Sequence, residues 1–416
     1  MIAGRAQGLS AYAALTAAYW AFMLTDGALR MLVLLHFHML GFSPIQLAYL
    51  FLLYEFAGMV TNLSAGWIAK RFGLQTTLYT GLIIQIVALL ALTRLEVGWS
   101  VSASVLFVMC VQGASGVAKD LAKMSSKSAI KLLAPQTEGG LFRWVALLTG
   151  SKNSVKGLGF LIGSAMLAVW GFEAALYGMA AALAVTLGAV ALFMPAGLPR
   201  AAKGARFRDV FSTSRRVNIL SAARVFLFGA RDVWFVVGIP IYFYSVLSDG
   251  TPDGNRAAFF QIGVFMALWI IGYGVVQGLA PRLLGARGKS DDEIARLAAS
   301  WVAVLTLIPA LLAALAYVAG GAPEPWLTWA LVIGLLVFGV VFAVNSSVHS
   351  YLILAFTRSE RVTMDVGFYY MSNAAGRLLG TLLSGLSYQS GGLALCLGVA
   401  AVMAGLSWLA ARRLVL

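Results

Sequence analysis

The sequence predicts an all-α polytopic membrane protein that crosses the bilayer twelve times, and three observations support this fold class. The 416 residues are 61% hydrophobic and only 11% charged, whereas soluble domains are about 45–50% apolar. Apolar stretches recur with short breaks from Leu9 almost to Leu416, and each is near the about 20 residues that a helix needs to cross the hydrocarbon layer. The basic residues fall mainly in every second connection between these stretches.

The apolar runs predict the positions of the twelve spans. They are expected at 11–38, 45–69, 74–94, 100–122, 141–168, 173–194, 218–247, 257–281, 298–319, 326–356, 363–389 and 391–411. The N-terminal residues carry no cleavage pattern of a secretory signal peptide, so we expect the first run to remain as a span.

The basic residues predict the orientation. With the N-terminus in the cytoplasm, the external loops receive only Arg256, with Arg94 at a boundary. This bias satisfies the positive-inside rule and predicts that both termini are cytoplasmic. The net charge of +14 therefore follows membrane topology, and the predicted partner of these basic loops is the lipid bilayer and not nucleic acid.

The domain organisation is predicted to be duplicated. A basic, turn-rich linker at 195–217 separates an N-terminal six-helix bundle at 1–194 from a C-terminal one at 218–416. Faint matches between the halves support two pseudo-symmetric bundles. Phe22–Arg30 resembles Phe226–Trp234, and Lys156-x-x-Gly159 can be set against Arg377-x-x-Gly380.

The connection between spans 2 and 3 reads Gly66-Trp-Ile-Ala-Lys70-Arg71-Phe-Gly73. It resembles the loop signature of the major facilitator superfamily, which implies a conformational role for Gly66, Arg71 and Gly73. Lys70 stands where that family has an acidic residue, so the charge-relay role of that position cannot be transferred. Close helix packing by the two glycines is the alternative interpretation.

Ionisable residues inside the spans are the main functional signal. Each costs at least about 2.5–3.5 kcal/mol near mid-bilayer by insertion scales, so it is expected to face a cavity and to have a task. Eight cations and five acids qualify, and their excess of positive charge predicts an anionic substrate. They are Asp26, Arg30, Glu55, Lys119, Asp120, Lys123, Lys152, Lys156, Arg224, Arg231, Asp232, Asp365 and Arg377. Arg224, Lys123 and Asp365 lie near span ends, where their side chains can reach water.

Substrate binding is predicted for cations and their amide neighbours, and two pairings are open alternatives. The predicted binding residues are Arg30, Lys119, Lys152, Asn153, Lys156, Arg231, Asn373 and Arg377. Asp26 and Arg30 are one turn apart and can pair with each other, and Lys156 can pair with Glu55 or Asp26. Adjacent residues point about 100° apart on a helix, so a self-contained pair between Arg231 and Asp232 is not expected.

The acidic residues Asp26, Glu55, Asp120 and Asp232 are predicted to couple protons or to form ion pairs. Glu55 is as compatible with a proton carrier as with a fixed counter-ion. Four lysines at every fourth position, from Lys119 to Lys131, predict one gently turning stripe. In this stripe Lys123 and Lys127 would form a cytoplasmic approach to the site, although positive-inside topology alone explains the outer lysines.

No cofactor, metal site or catalytic constellation is predicted, and the chain is not expected to be an enzyme. Cys110 and Cys396 lie in apolar segments, which argues against thiolate ligands. His36 and His38 point apart on a helix, and all three histidines, including His349, are interpreted as satisfied packing residues. A membrane-embedded enzyme or sensor is the alternative from another class.

Four blocks carry a more specific resemblance: Ser115–Pro135, Leu141–Gly163, Val217–Leu247 and Ala267–Leu284. They resemble the ArsJ family of bacterial permeases for organoarsenical efflux. The resemblance implies export of 1-arseno-3-phosphoglycerate from the cytoplasm across the bacterial inner membrane, which confers arsenate resistance. It also implies a functional link to glyceraldehyde-3-phosphate dehydrogenase, which makes that compound. We expect a monomer that works by alternating access, and proton coupling through Glu55 or Asp26 is a further hypothesis. Export or exchange of other phosphorylated organic anions is the alternative function.

Overall fold

The computed structural model describes residues 2–72, 74–96, 98–133, 140–193, 211–284, 290–320, 324–357 and 362–415. Within these ranges eleven α-helices account for nearly all of the chain. They are α1 (Ile2–Met39), α2 (Pro44–Phe72), α3 (Leu74–Leu92), α4 (Val101–Leu133), α5 (Gly140–Phe193), α6 (Arg215–Val233), α7 (Ile239–Leu247), α8 (Pro252–Leu283), α9 (Asp291–Val318), α10 (Pro325–Phe356) and α11 (Val362–Arg412).

Two of these helices are long enough to cross a bilayer twice. The apolar parts of α5 and α11 span 42 and 48 residues, whereas one crossing needs about 20. Each is interrupted by glycine in the left-handed region, Gly171 with φ 79° in α5 and Gly392 with φ 62° in α11. These are the places where the sequence predicts a change of span, and glycine adopts this backbone conformation without steric cost.

The predicted twelve crossings are confirmed by the described helices. Ten described segments are long and apolar enough to span a membrane, and the two interrupted ones count twice. Several observed helices extend beyond the predicted bounds of the spans. Thus α4 continues to Leu133, which places Lys119 to Lys131 on one helix as the spacing predicts.

One crossing departs from regular α-helical geometry. A π-helical turn at Trp234–Gly238 joins α6 to α7. Pro240 follows this turn and has no N–H to donate, so the regular hydrogen-bond ladder is broken there. The hydroxyl of Ser384 on α11 accepts hydrogen bonds from the Val237 and Gly238 N–H groups, at 3.2 and 3.3 Å.

Helix packing brings the two halves of the chain together along two seams. One seam is formed by α2 against α11, and the other by α5 against α8. Within the N-terminal half, α1 packs on α5, and α4 packs on α2 and α3. Within the C-terminal half, α11 packs on α6 and α9. The predicted linker at 195–217 lies largely outside the described residues, and its last three residues already belong to α6.

The seams are closed near the loop between α1 and α2, which the charges predict to be external. There the Ile45 N–H donates to Gln389 Oε1 at 3.2 Å. The His38 ring meets the Tyr244 ring edge to face, with centroids 4.9 Å apart. These contacts join the two halves of the chain on that side of the molecule.

Small residues allow a very close approach of α1 and α5. A Cβ atom on Gly163 would lie 2.2 Å from the Ala28 carbonyl oxygen, and one on Gly159 would lie 2.4 Å from the Leu24 oxygen. No side chain fits in this space, so the two backbones are in direct contact. This packing fixes the distance between the polar side chains of the two helices.

We therefore expect Gly163→Val to lower the melting temperature of the detergent-purified protein. Overpacking typically costs about 1–3 kcal/mol, and here the obstacle is backbone that cannot rotate away. Gly188→Val, at an exposed position of α5, is the matched control, because a Cβ atom there would meet no atom within 4 Å. Equal melting temperatures for the two variants would contradict the close α1–α5 contact.

Candidate functional site

A cavity of about 200 Å³ lies between the two halves of the chain, and α1, α2, α4, α5, α6, α8, α10 and α11 contribute to its wall. Eight cationic side chains and three carboxylates line it. The cations are Arg30, Lys119, Lys123, Lys152, Lys156, Arg224, Arg231 and Arg377, and the carboxylates are Glu55, Asp120 and Asp232. The predicted binding residues Asn153 and Asn373 also line this cavity.

Lys156 of α5 is paired with a buried carboxylate on α1. Its Nζ lies 2.8 Å from Asp26 Oδ2, and the Tyr54 hydroxyl donates to the other Asp26 oxygen. The open alternative of pairing with Asp26 is therefore the one observed for Lys156. The possible pair between Asp26 and Arg30 is wrong, because the close α1–α5 packing brings Lys156 to Asp26 first.

Glu55 of α2 is held between two arginines. Its Oε1 accepts from Arg30 Nη1 at 3.1 Å and from Arg377 Nη2 at 2.5 Å. Arg30 belongs to α1 and Arg377 to α11, so one carboxylate joins both halves of the chain. In this conformation Glu55 is a counter-ion.

Asp232 of α6 continues this chain of charges. Its Oδ2 lies 3.4 Å from Arg377 Nε, and its Oδ1 accepts from the neighbouring Arg231. The expectation that Arg231 and Asp232 do not pair with each other is therefore wrong. The flexible arginine side chain curls back to the adjacent carboxylate, which outweighs their divergent directions on the helix.

Asp120 of α4 has a separate set of partners. It accepts from Thr61 at 2.7 Å and from Lys123 at 3.1 Å. Lys123 also donates to Asn62 Oδ1 at 2.6 Å. Lys123 was predicted to lie on the cytoplasmic approach, and the structure places it in the cavity wall beside Asp120.

Lys119 lies on the face of an aromatic ring. Its Nζ is 4.0 Å from the centroid of Tyr54, and the residue is only 7% exposed. Such a cation–π contact is attractive, and Lys119 forms no salt bridge with a carboxylate of the described residues.

Arg224 was missed as a site residue, because its position near a span end suggested that it reaches water. It is instead 4% exposed. Its Nε donates to Asn373 Oδ1 at 3.2 Å, and its Nη1 donates to the Ser346 carbonyl and hydroxyl oxygens at 3.2 and 3.1 Å. The signal available in the sequence was the cluster of small polar residues around Ser346 on α10, which creates room for a buried guanidinium.

Aromatic residues form much of the remaining wall, and sequence reasoning did not find them. They are Tyr19, Phe160, Phe228, Phe235, Tyr273 and Tyr370. Aromatics occur along every span, so nothing in the pattern separated these from residues that face lipid. Their rings surround the cations and give the cavity its apolar surface.

Several predictions concern residues outside this cavity. Gly73 lies outside the described residues, and so do the side chains of Lys127 and Arg71 and the surroundings of Gly66. His36 stacks on Phe172 with centroids 3.9 Å apart, as a packing histidine does. His349 is fully buried, but neither ring nitrogen has a hydrogen-bond partner among the described residues. The prediction that it is satisfied is therefore wrong.

The buried pair between Asp26 and Lys156 yields a stability prediction. We expect Asp26→Asn or Lys156→Gln alone to reduce the free energy of unfolding by about 3–5 kcal/mol, because each leaves a buried charge unpaired. The double variant should lose less than the sum of the two. Thermal unfolding of the detergent-purified proteins measures all three.

The surface pair between Arg216 and Asp292 is the control for that cycle. Its side chains are 52% and 60% exposed, and an exposed pair contributes at most about 1 kcal/mol. We expect Asp292→Asn to leave the melting temperature nearly unchanged. Strictly additive losses from Asp26→Asn and Lys156→Gln would show that the two side chains do not interact.

Comparison with known proteins identifies the fold. No protein-family model and no curated protein matches the chain in sequence. Among solved structures, the nucleoside transporter NupG aligns with a TM-score of 0.68 and 18% identity, over 97% of this chain and 98% of that one. A POT family transporter in complex with 5-aminolevulinic acid aligns with a TM-score of 0.73 and 14% identity, over 96% and 94%. This likeness, together with the helices described above, shows that the chain has the major facilitator fold.

Proposed function

We propose that this chain is a secondary transporter that exports an organic anion by alternating access, and that the anion is 1-arseno-3-phosphoglycerate. The observation that carries the proposal is the charge of the cavity. Eight cations line it, against three carboxylates, and the buried Asp26 beside Lys156 makes a fourth. An uncompensated excess of positive charge is costly in a low-dielectric interior. An anion with several negative charges would balance it.

The resemblance to ArsJ permeases supports the identity of the substrate. That compound has a pentavalent arsenyl group at one end and a phosphate at the other, and both ends present oxygen atoms. Arginine and lysine bind such groups through charge-assisted hydrogen bonds, so thiolates are unnecessary. In agreement, Cys110 is exposed and Cys396 donates to the Val233 carbonyl oxygen at 3.1 Å.

The ion pairs of Glu55 suggest how binding is coupled to movement. Arg30 Nη2 has no hydrogen-bond partner among the described residues, and Arg377 Nε forms no hydrogen bond there but lies 3.4 Å from Asp232 Oδ2. A substrate oxyanion that bound these two groups would compete with Glu55 for both arginines. Because Glu55 links α1 and α2 to α11, this competition would loosen the connection between the halves and permit them to rock about the site.

Closure near the α1–α2 loop supports an assignment of the conformation. The contacts of Ile45 and His38 join the halves there, whereas the cavity lining includes Lys123 and Ser350, near the predicted cytoplasmic ends of α4 and α10. We assign this conformation to the stage at which a cytoplasmic substrate enters. Release then requires these external contacts to open.

Arsenate resistance in cells tests the proposed activity. A bacterial strain without its own arsenate resistance would receive this chain together with glyceraldehyde-3-phosphate dehydrogenase, which makes the substrate inside the cell. We expect the cells to grow in arsenate, and to release into the medium the arsenate they have taken up, only when both proteins are present. Resistance without the dehydrogenase would contradict the proposed substrate.

We expect Lys156→Ala and Arg377→Ala to abolish this resistance while the protein remains in the membrane. Lys156 has a buried counter-ion, and Arg377 has two, so each removal disturbs both the charge of the cavity and the link between helices. Arg216→Ala, on an exposed pair, is the control and should retain full resistance. Immunoblots of membrane fractions establish that all three variants are present.

Proton coupling through Glu55 or Asp26 is a further expectation from the same network. Both carboxylates are buried and paired with cations that the substrate would compete for. We expect uptake into everted vesicles to stop when an uncoupler collapses the proton gradient. Uptake that ignores the gradient would eliminate this coupling.

Export or exchange of other phosphorylated organic anions is the second candidate, because the same cations would bind them. Competition between the arsenylated compound and 3-phosphoglycerate in vesicle uptake separates the two functions. Equal competition at equal concentration would favour the general exchanger.

A further inference from the structure

We infer that Lys119 and Arg224 bind the two anionic ends of the substrate and set the preference for an anion charged at both ends. This inference rests on the proposed transport function and deepens it. The residues are two cavity cations for which the described part of the chain provides no carboxylate within ion-pair distance.

Five other cations of the cavity are already paired with carboxylates in this conformation. Lys156 has Asp26, Lys123 has Asp120, and Arg231 has Asp232. Arg30 and Arg377 share Glu55. A substrate that bound any of these five would compete with a protein carboxylate for the same cation, which weakens its binding.

Lys119 offers an ammonium group that needs an acceptor. Among the described residues its Nζ contacts the Tyr54 ring at 4.0 Å and forms no hydrogen bond. The ring is fixed in turn, because the Tyr54 hydroxyl donates to Asp26. Three N–H donors on a buried, positioned cation therefore have no protein acceptor, and an anionic oxygen in the cavity would satisfy them.

Arg224 offers one edge of a guanidinium that is already aligned. The Asn373 and Ser346 oxygens accept from Nε and Nη1, and the Phe228 and Tyr369 rings lie 4.1 and 4.9 Å from the guanidinium carbon. Nη2 forms no hydrogen bond with the described residues. A planar guanidinium held in this way has lost its rotational freedom before the ligand arrives, which favours tight binding of an oxyanion.

The two cations belong to one site but come from different halves of the chain. Lys119 is on α4 and Arg224 is on α6, and both line the same cavity. Two neighbouring residues of α11 lie near them. Asn373 accepts a hydrogen bond from Arg224. Ala374 is near Lys119, because a Cβ atom placed on Gly58 would lie 4.0 Å from Ala374 Cβ and 3.7 Å from Lys119 Nζ.

This placement defines the class of ligand. An organic anion that carries an oxyanion such as phosphate or arsenate at one end, and a second anionic group at the other, can contact both cations at once. A ligand with a single anionic end offers one oxyanion to the two cations and is expected to bind more weakly. A ligand bound at both ends would connect α4 to α6, and therefore the two halves of the chain.

Everted membrane vesicles provide the test. Arsenate, glyceraldehyde 3-phosphate, NAD⁺ and glyceraldehyde-3-phosphate dehydrogenase generate the substrate outside the vesicles, and the initial rate of arsenic uptake gives KM and the maximal rate. The inhibitors 3-phosphoglycerate, charged at both ends, and glycerol 3-phosphate, charged at one end, report the preference. The variants are Lys119→Gln, Arg224→Gln and the charge-conserving Lys119→Arg and Arg224→Lys, with Arg216→Gln as the control for expression.

We expect each glutamine variant to raise KM at least about tenfold, the loss expected for one charge-assisted hydrogen bond. Each should also abolish the stronger inhibition by 3-phosphoglycerate, and the charge-conserving variants should restore much of both properties. Failure of both charge-conserving variants to restore binding, at wild-type melting temperature, would overturn the inference.

The outcomes separate this inference from the proposed function. Vesicles with the wild-type chain that take up no arsenic would overturn both. Wild-type uptake, with unchanged KM and inhibitor preference in Lys119→Gln and Arg224→Gln, would overturn the inference and leave the transport function intact.

Discussion

Glu55 carries the interaction on which the site depends. One buried carboxylate oxygen lies between Arg30 of α1 and Arg377 of α11. Two like charges so close together in a low-dielectric interior repel strongly unless an anion separates them. The contact of Arg377 with Asp232 extends this arrangement to α6. Four helices from both halves of the chain therefore meet through a single network of charges.

Close backbone packing positions a second buried ion pair beside that network. Gly159 and Gly163 bring α5 against α1, and the pair between Lys156 and Asp26 forms across this contact. On the other half, the π-helical turn at Trp234–Gly238 begins two residues after Asp232 and is anchored by Ser384. Irregular backbone inside a membrane is tolerated where other groups accept or donate its hydrogen bonds, and here α11 provides that group.

The fold and the cavity answer different questions about function. This chain shares the major facilitator fold with solved transporters of different kinds, a nucleoside transporter and a POT family transporter among them. A fold with so many uses does not name a substrate. The cavity favours an anion, because eight cations line it against three carboxylates and because Lys119 and Arg224 form no salt bridge with a carboxylate of the described residues.

The number of crossings, their approximate positions and the set of intramembrane charges follow from the sequence alone, because hydrophobic length and the cost of burying charge are local properties. Most of the cavity cations, including Lys156 and Arg377, could be predicted in the same way. The pairing of these charges depends on tertiary structure. Lys156 meets Asp26 because two glycines let α5 approach α1, and Arg224 is buried because α10 and α11 enclose it with Ser346 and Asn373. Contacts between residues more than 100 positions apart depend on helix packing, which no local pattern in a single sequence specifies.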